Sequence, residues 1–172
     1  NTVTKAVRLI IQYYNVKINH KINVTKNIPV GGGLGGGSSN GAYTLKAINQ
    51  LYKLNISDRE LLVLCKKIGS DVPFFINGGI KEIQGTGDII TDINYSEIEN
   101  KYFLLVIPSF IISTKWAYRK IKKHLHSHKI KPKFPPLTDK VNWSLFENDF
   151  EQVVCSTYPE ILDIKKTFYN SG

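Results

Sequence analysis

The chain has 172 residues, of which 42% are hydrophobic and 22% charged, a balance close to the globular average and able to bury a core without staples. Wholesale disorder and a fibrous repeat are excluded, and no apolar run approaches the roughly 18 residues that a membrane-spanning helix requires. The formal charge of +9 is local: eight of the 23 Lys and Arg fall in residues 115–133, which contain no acid, leaving 15 basic against 14 acidic residues elsewhere.

Taken in chain order, Val3, Ala6, Val7, Ile10, Ile11 and Tyr14 recur at the 3–4 spacing of one helix face. Residues 20–28 alternate, with Ile22 and Val24 set against Lys21, Asn23 and Thr25, which predicts a half-buried strand closed by Pro29. A glycine run follows, and then Ser38, Ser39 and Asn40 open a second helix with Ala42, Leu45 and Ile48 inward. Ser57 and Glu60 form a capping box for a third helix reaching about Ile68. Gly69-Ser70-Asp71-Val72-Pro73 reads as a turn, since glycine ends a helix well and the residue before proline resists helical geometry. Residues 80–84 and 89–93 read as two short strands around a turn, and residues 102–107 as the best strand in the chain. Helices are expected over 113–125, 143–154 and 159–169. A boundary near 92–101 would separate a glycine-loop domain from a second α+β portion.

Cys65 and Cys155 sit alone in helix-like sequence, with neither a disulfide framework nor metal-ligand spacing, which points to a reducing compartment. The basic stretch 115–133 contains His124, His126 and His128, with Pro132, Pro135 and Pro136 beside it. It reads as a solvated helix running into a low-complexity loop. Alternating histidines can catch a metal, but no Cys or carboxylate is close by to complete a site. A nucleic-acid module built on this stripe would lack interleaved aromatics, because only Trp116 and Tyr118 are near.

The most informative segment is Pro29-Val30-Gly31-Gly32-Gly33-Leu34-Gly35-Gly36-Gly37-Ser38-Ser39. Its glycines permit positive φ and a close approach by a ligand, and the following helix start offers unpaired N–H groups and a positive dipole end. Strand, glycine loop and helix start together suit an anion, above all a triphosphate. There is no Walker A lysine, because Gly37 meets Ser38 directly. Gly31, Gly33 and Gly36 fit a dinucleotide G-x-G-x-x-G literally, which leaves an oxidoreductase as an alternative. The acids at the expected distance, Asp58 and Glu60, open a helix instead of ending a strand. The protein-kinase motifs are absent. A second segment, Gly69-Ser70-Asp71-Val72-Pro73-Phe74-Phe75, holds a carboxylate in a turn beside aromatic residues. Such a group can orient or deprotonate a hydroxyl, or serve only as a turn former.

These two segments resemble the motifs of the GHMP kinase family. Pro29 to Gly35 matches its Pro-x-Gly-x-Gly-Leu-Gly loop. Gly35-Gly36-Gly37-Ser38-Ser39-Asn40 and the Asp71 segment are similar to the branch acting on 4-diphosphocytidyl-2-C-methyl-D-erythritol. Weaker likeness follows at Gly85-x-Gly87-Asp88, at residues 113–118 and at Asn148-Asp149-Phe150-Glu151. The resemblance implies an α/β, two-layer α+β fold, with an ATP-binding part related to ribosomal protein S5 domain 2 over residues 1–95. A ferredoxin-like part would cover 96–172. It implies transfer of the ATP γ-phosphate to the substrate's 2-hydroxyl in non-mevalonate isoprenoid synthesis, with another small-molecule kinase of the family as alternative. Asp71 would be catalytic, and residues Pro29 to Ser39 would bind ATP with Mg2+, whose ligand the sequence does not assign. The implied partners are the two small molecules, without nucleic acid or membrane, and a homodimer is open. The implied location is a bacterial cytoplasm or plastid stroma.

Two family elements are not matched. Residues 1–28 contain no Pro-Ala-Lys-Ile-Asn-like strand carrying the family's catalytic lysine, and no Gly-rich Ser-Gly-Ser loop follows. The chain starts at Asn1, has no methionine and stops at Asn170-Ser171-Gly172. It therefore reads as the middle of a longer enzyme, with any targeting peptide outside it and with no competence expected from this segment alone.

Overall fold

A computed structural model describes residues 1–85, 89–93, 101–125 and 148–170. The chain divides into two compact units, Asn1–Asn94 and Tyr95–Gly172.

The first unit is built on three helices. Helix α1, Thr2–Tyr14, is capped by the Asn1 side chain, which accepts from the Thr4 N–H at 2.9 Å, and it ends at Asn15 with φ 50°. Its Ala6 and Ile10, four residues apart, are fully buried. They meet Ala42, Leu45 and Ile48 of α2, Gly36–Leu51. Helix α3, Asp58–Ile68, contributes Leu61, Leu64, Cys65 and Ile68 to the same core. Its capping box forms as the sequence predicts, with Ser57 Oγ accepting from the Glu60 N–H and Glu60 accepting from the Ser57 N–H. Those bonds to Ser57 hold the Glu60 carboxyl below its usual range. Burial pushes the Cys65 thiol up to about 12.

Connections are tied by side chains that satisfy the backbone where it leaves regular structure. Asn49 donates to the Ile56 carbonyl at 2.9 Å and accepts from its N–H at 3.0 Å, which closes the loop between α2 and α3. A single helical turn, α4, Phe74–Asn77, follows the Asp71 segment, and Lys46 of α2 donates to its Ile76 carbonyl at 3.0 Å. An antiparallel hairpin then pairs β1, Lys81–Gln84, with β2, Ile89–Asp92, in the register Lys81↔Asp92 to Gln84↔Ile89.

Two expected strands do not form. Residues 20–28 have no ladder, and Ile22, Val24 and Ile28 are exposed. Residues 102–107 are likewise irregular and exposed, with Leu104 at 77%. Alternation and apolarity make a segment ready to pair, but a strand exists only against a neighbour. Among the described residues β1 and β2 are the one paired set.

The second unit holds α5, Thr114–Leu125, α6, Glu151–Thr157, and α7, Pro159–Asn170. Helices α5 and α7 match expectation. Helix α6 begins at Glu151, inside the expected helix 143–154, after a turn at 149–150, and runs on to Thr157; residues 143–147 of that expectation lie outside the described residues. Ala117, Ile121 and Val153 are buried. Tyr158 stacks on Phe110 with centroids 5.1 Å apart and meets Trp116 edge-on at 5.5 Å. Lys165 pairs with Glu151, and that hydrogen bond raises the lysine's pKa. Residues 126–133 of the basic stretch, with His126 and His128, lie outside the described residues.

Candidate active site

The glycine segment forms a concave loop at the start of α2. The cleft, of about 280 Å³, is lined by every residue from Pro29 to Ser38, with Thr2, Lys26 and Ile28 completing the wall. Gly31, Gly33 and Gly35 all have positive φ, at 84°, 72° and 66°. Left-handed residues in alternation are the backbone pattern from which anion-binding nests are made. Gly35 is the N-cap of α2 and offers no side-chain cap, although its carbonyl accepts from Ser39 N at 2.8 Å. The first N–H groups of the helix therefore remain available to a ligand.

Neighbouring elements hold this loop in place. Thr2 Oγ1 donates to the Gly37 carbonyl at 2.6 Å, which ties the start of α1 to the start of α2. Asn40, with its amide oriented to suit both partners, donates to the Gly36 carbonyl at 3.3 Å and accepts from Lys26 Nζ at 2.7 Å. Lys26 thus brings an ammonium group to the cleft wall, a cation that motif reading missed because it precedes the glycine run. The signal was present, since a lysine three residues before a phosphate-type loop is placed to meet an anion.

Asp71 lies in the turn between α3 and α4. Val72 beside it is 1% exposed and anchored in the core, whereas Asp71 itself is exposed and accepts from Ser70 Oγ at 2.9 Å. Asp71 and Ser39 are not among the residues that line the glycine cleft. What joins the two motifs is Phe75. A Cβ built on Gly35 would come within 2.6 Å of Phe75 Cζ, so the ring lies directly against the loop backbone. Gly41 makes a second junction, because a Cβ there would meet Thr2, Ile68 and Val72 at 3.3–3.6 Å. The missing side chains at positions 35 and 41 let the Asp71 turn and the phosphate-type loop share one helix as a support.

The cleft fits a phosphate group on three counts. Its wall is largely backbone, a cation stands at its edge, and a Cβ at Gly33 or Gly37 would project into open space and not into protein. No group of three His, Cys, Asp or Glu able to hold a metal ion occurs among the described residues. No helix among them is long and apolar enough to cross a membrane.

Residues 1–79 match the family model described as the GHMP kinases N terminal domain. By that match residues 1–79 are a GHMP kinases N terminal domain. It is similar to the 4-diphosphocytidyl-2-C-methyl-D-erythritol kinase of Thermodesulfovibrio yellowstonii, at 35% identity covering 100% of this chain and 63% of the relative. It is also similar to that of Pseudothermotoga lettingae, at 37% identity over 95% of this chain and 60% of the relative. A crystal structure of 4-(cytidine 5'-diphospho)-2C-methyl-D-erythritol kinase shares the fold, with a TM-score of 0.69 at 24% identity, covering 95% of this chain and 59% of that one. The chain thus spans about 60% of the length of these GHMP kinases. Against that shared fold, the described part of this chain is mostly helical, with one two-stranded sheet.

Proposed function

We propose that the chain is the nucleotide-binding and hydroxyl-activating part of a kinase that transfers the γ-phosphate of ATP to the 2-hydroxyl of 4-diphosphocytidyl-2-C-methyl-D-erythritol, in non-mevalonate isoprenoid synthesis. The observation that carries this reading is the contact of Phe75 with Gly35, which couples the phosphate-type cleft to the Asp71 turn. The relatives that share the chain's whole length bear that activity in their names. Residues 1–95 would form the ATP-binding domain of the ribosomal protein S5 domain 2 type, and 96–172 a ferredoxin-like domain.

Phosphoryl transfer depends on positioning and on neutralising charge. ATP with Mg2+ supplies the phosphoryl group. The N–H groups of residues 31–37 hold its phosphates, Lys26 balances their charge, and the Ser38 and Ser39 hydroxyls add donors at the helix start. The Asp71 carboxylate accepts or orients the hydroxyl proton, and its exposure in the turn leaves it open to a substrate. The free thiols of Cys65 and Cys155 fit a reducing compartment, a bacterial cytoplasm or a plastid stroma.

The test uses the protein with the sequence that flanks this chain in its gene, and follows ADP release with ATP, Mg2+ and the diphosphocytidyl substrate. Substrate-dependent ADP release is expected. Asp71→Ala should lower turnover by about 10²–10⁴-fold while ATP still binds. Unchanged turnover in that variant removes Asp71 from the reaction, and ATP binding without turnover in the unaltered protein overturns the substrate assignment.

A further inference from the structure

Residues 20–28 form no ladder among the described residues, yet the segment is fastened to α2 near both of its ends. At the far end Tyr52, the C-cap of α2, accepts from the Asn19 N–H at 2.9 Å, and its hydroxyl oxygen lies 2.7 Å from His20 Nδ1. At the end beside the glycine cleft the fastening is Asn40, half-buried and one turn into α2. Its side chain bridges the Gly36 carbonyl at 3.3 Å and Lys26 Nζ at 2.7 Å, while its own backbone carbonyl accepts from Thr44 Oγ1 at 2.6 Å.

Lys26 is exposed and carries a point charge on a flexible stem, which alone would sample many positions. The Asn40 amide confines that charge before any anion arrives, which removes an ordering cost from binding. The place is an unfavourable one for a cation, because the first turn of α2 presents the positive end of the helix dipole. Asn40 brings a hydrogen-bond acceptor there but no negative charge, and none of the described residues lining the cleft is acidic. An anion that enters the cleft therefore meets the dipole and the ammonium together.

We propose that Asn40 is a positioning residue for the nucleotide phosphates, one that holds the Lys26 ammonium at the edge of the glycine cleft without neutralising it. This rests on the kinase reading of that cleft. The amide is the deciding chemistry. An apolar side chain at position 40 would release the ammonium, whereas a carboxylate would hold it and also cancel the charge that a polyphosphate otherwise meets. Position and charge can thus be separated by substitution.

The probe is inorganic tripolyphosphate, titrated at low ionic strength into the isotopically labelled 172-residue chain while backbone amide resonances are followed. The amides of residues 31–37 should shift saturably. Lys26→Met should raise Kd roughly fivefold, the size of one exposed charge contact. Asn40→Leu should raise it by a similar factor, and the double variant no further, because both changes remove one interaction. Asn40→Asp should also raise Kd, yet leave the free-chain amides of residues 24–28 close to their unaltered positions, which Asn40→Leu displaces. An asparagine with only a structural role would give additive losses in the double variant. Such additivity, a Kd indifferent to Asn40→Leu, or an Asn40→Asp chain that binds as tightly as the unaltered one would each overturn the proposal. No shift at residues 31–37 in the unaltered chain overturns the kinase reading of the cleft with it, whereas binding that only Lys26→Met weakens overturns this inference alone.

Discussion

Replacing Gly35 with alanine tests the junction on which the functional reading rests. Two costs combine at this position. The backbone has φ +66°, and an L-residue in that left-handed region costs roughly 1–2 kcal/mol. The new methyl would also lie 2.6 Å from Phe75 Cζ. The ring cannot simply swing aside, because it is half-buried and braced by Phe74, and overpacking of this kind costs typically about 1–3 kcal/mol. Gly35→Ala should therefore destabilise the chain by about 2–5 kcal/mol.

Two nearby glycines provide the controls. Gly33 has φ +72° with nothing within 4 Å of a built Cβ, so Gly33→Ala should show the backbone cost alone, roughly 1–2 kcal/mol. Gly37 lies inside α2 with open space around it, and Gly37→Ala should stabilise by roughly 0.5–1 kcal/mol. The assay is urea unfolding followed by far-UV circular dichroism, comparing midpoints at a common slope. Phe75→Leu removes the offending ring atoms while keeping an apolar side chain, so in that background Gly35→Ala should cost no more than Gly33→Ala. Equal losses for Gly35→Ala and Gly33→Ala in the unaltered chain, or no relief from Phe75→Leu, would refute the claim that the ring and the loop constrain each other.

Two further predictions concern titrating groups. Ser57→Ala should cost about 1 kcal/mol as a lost N-cap and return the Glu60 carboxyl toward its ordinary range, read by NMR titration. Because the folded-state pKa of Glu60 is depressed, its contribution is present above the unfolded carboxylate value and is lost as pH falls through the folded one; Ser57→Ala should flatten that acid-side loss. Cys65, with its thiol pushed up to about 12, stays protonated in the folded chain while an unfolded thiol near 9 ionises, so stability should fall as pH rises above about 9. In the native state Cys155, only partly buried, should react with a thiol reagent well before Cys65, and mass mapping of the labelled sites checks the order.

What was legible in the sequence depended on how local the cause was. Helices α1, α3, α5 and α7 are written in 3–4 spacing and in a capping box, interactions that span a few residues. The hairpin follows from two short runs about one turn. Residues 20–28 and 102–107 failed because strand formation is settled by a neighbour that the run itself does not encode. The site divides in the same way. Glycine density and the helix start made the cleft legible, but the part played by Lys26 depends on Asn40 reaching back from α2. The contact between Phe75 and Gly35 joins positions 40 residues apart, and only packing could reveal it. Asp71 was recognised by its neighbours, yet its exposure and its place outside the glycine cleft could not be read from them.

The irregular segment 102–107 has a consequence for handling this chain. Tyr102-Phe103-Leu104-Leu105-Val106-Ile107 is six residues of high β-propensity with no charge, and its side chains are in solvent. Such a window is the pattern that stacks into cross-β fibrils when left uncovered. Lys101 stands immediately before it and Pro108 immediately after, a charge and a chain-breaker in the positions where gatekeeper residues oppose self-assembly. Resistance of the chain to self-association in concentrated solution thus draws on the two residues that bracket this run as well as on its +9 net charge.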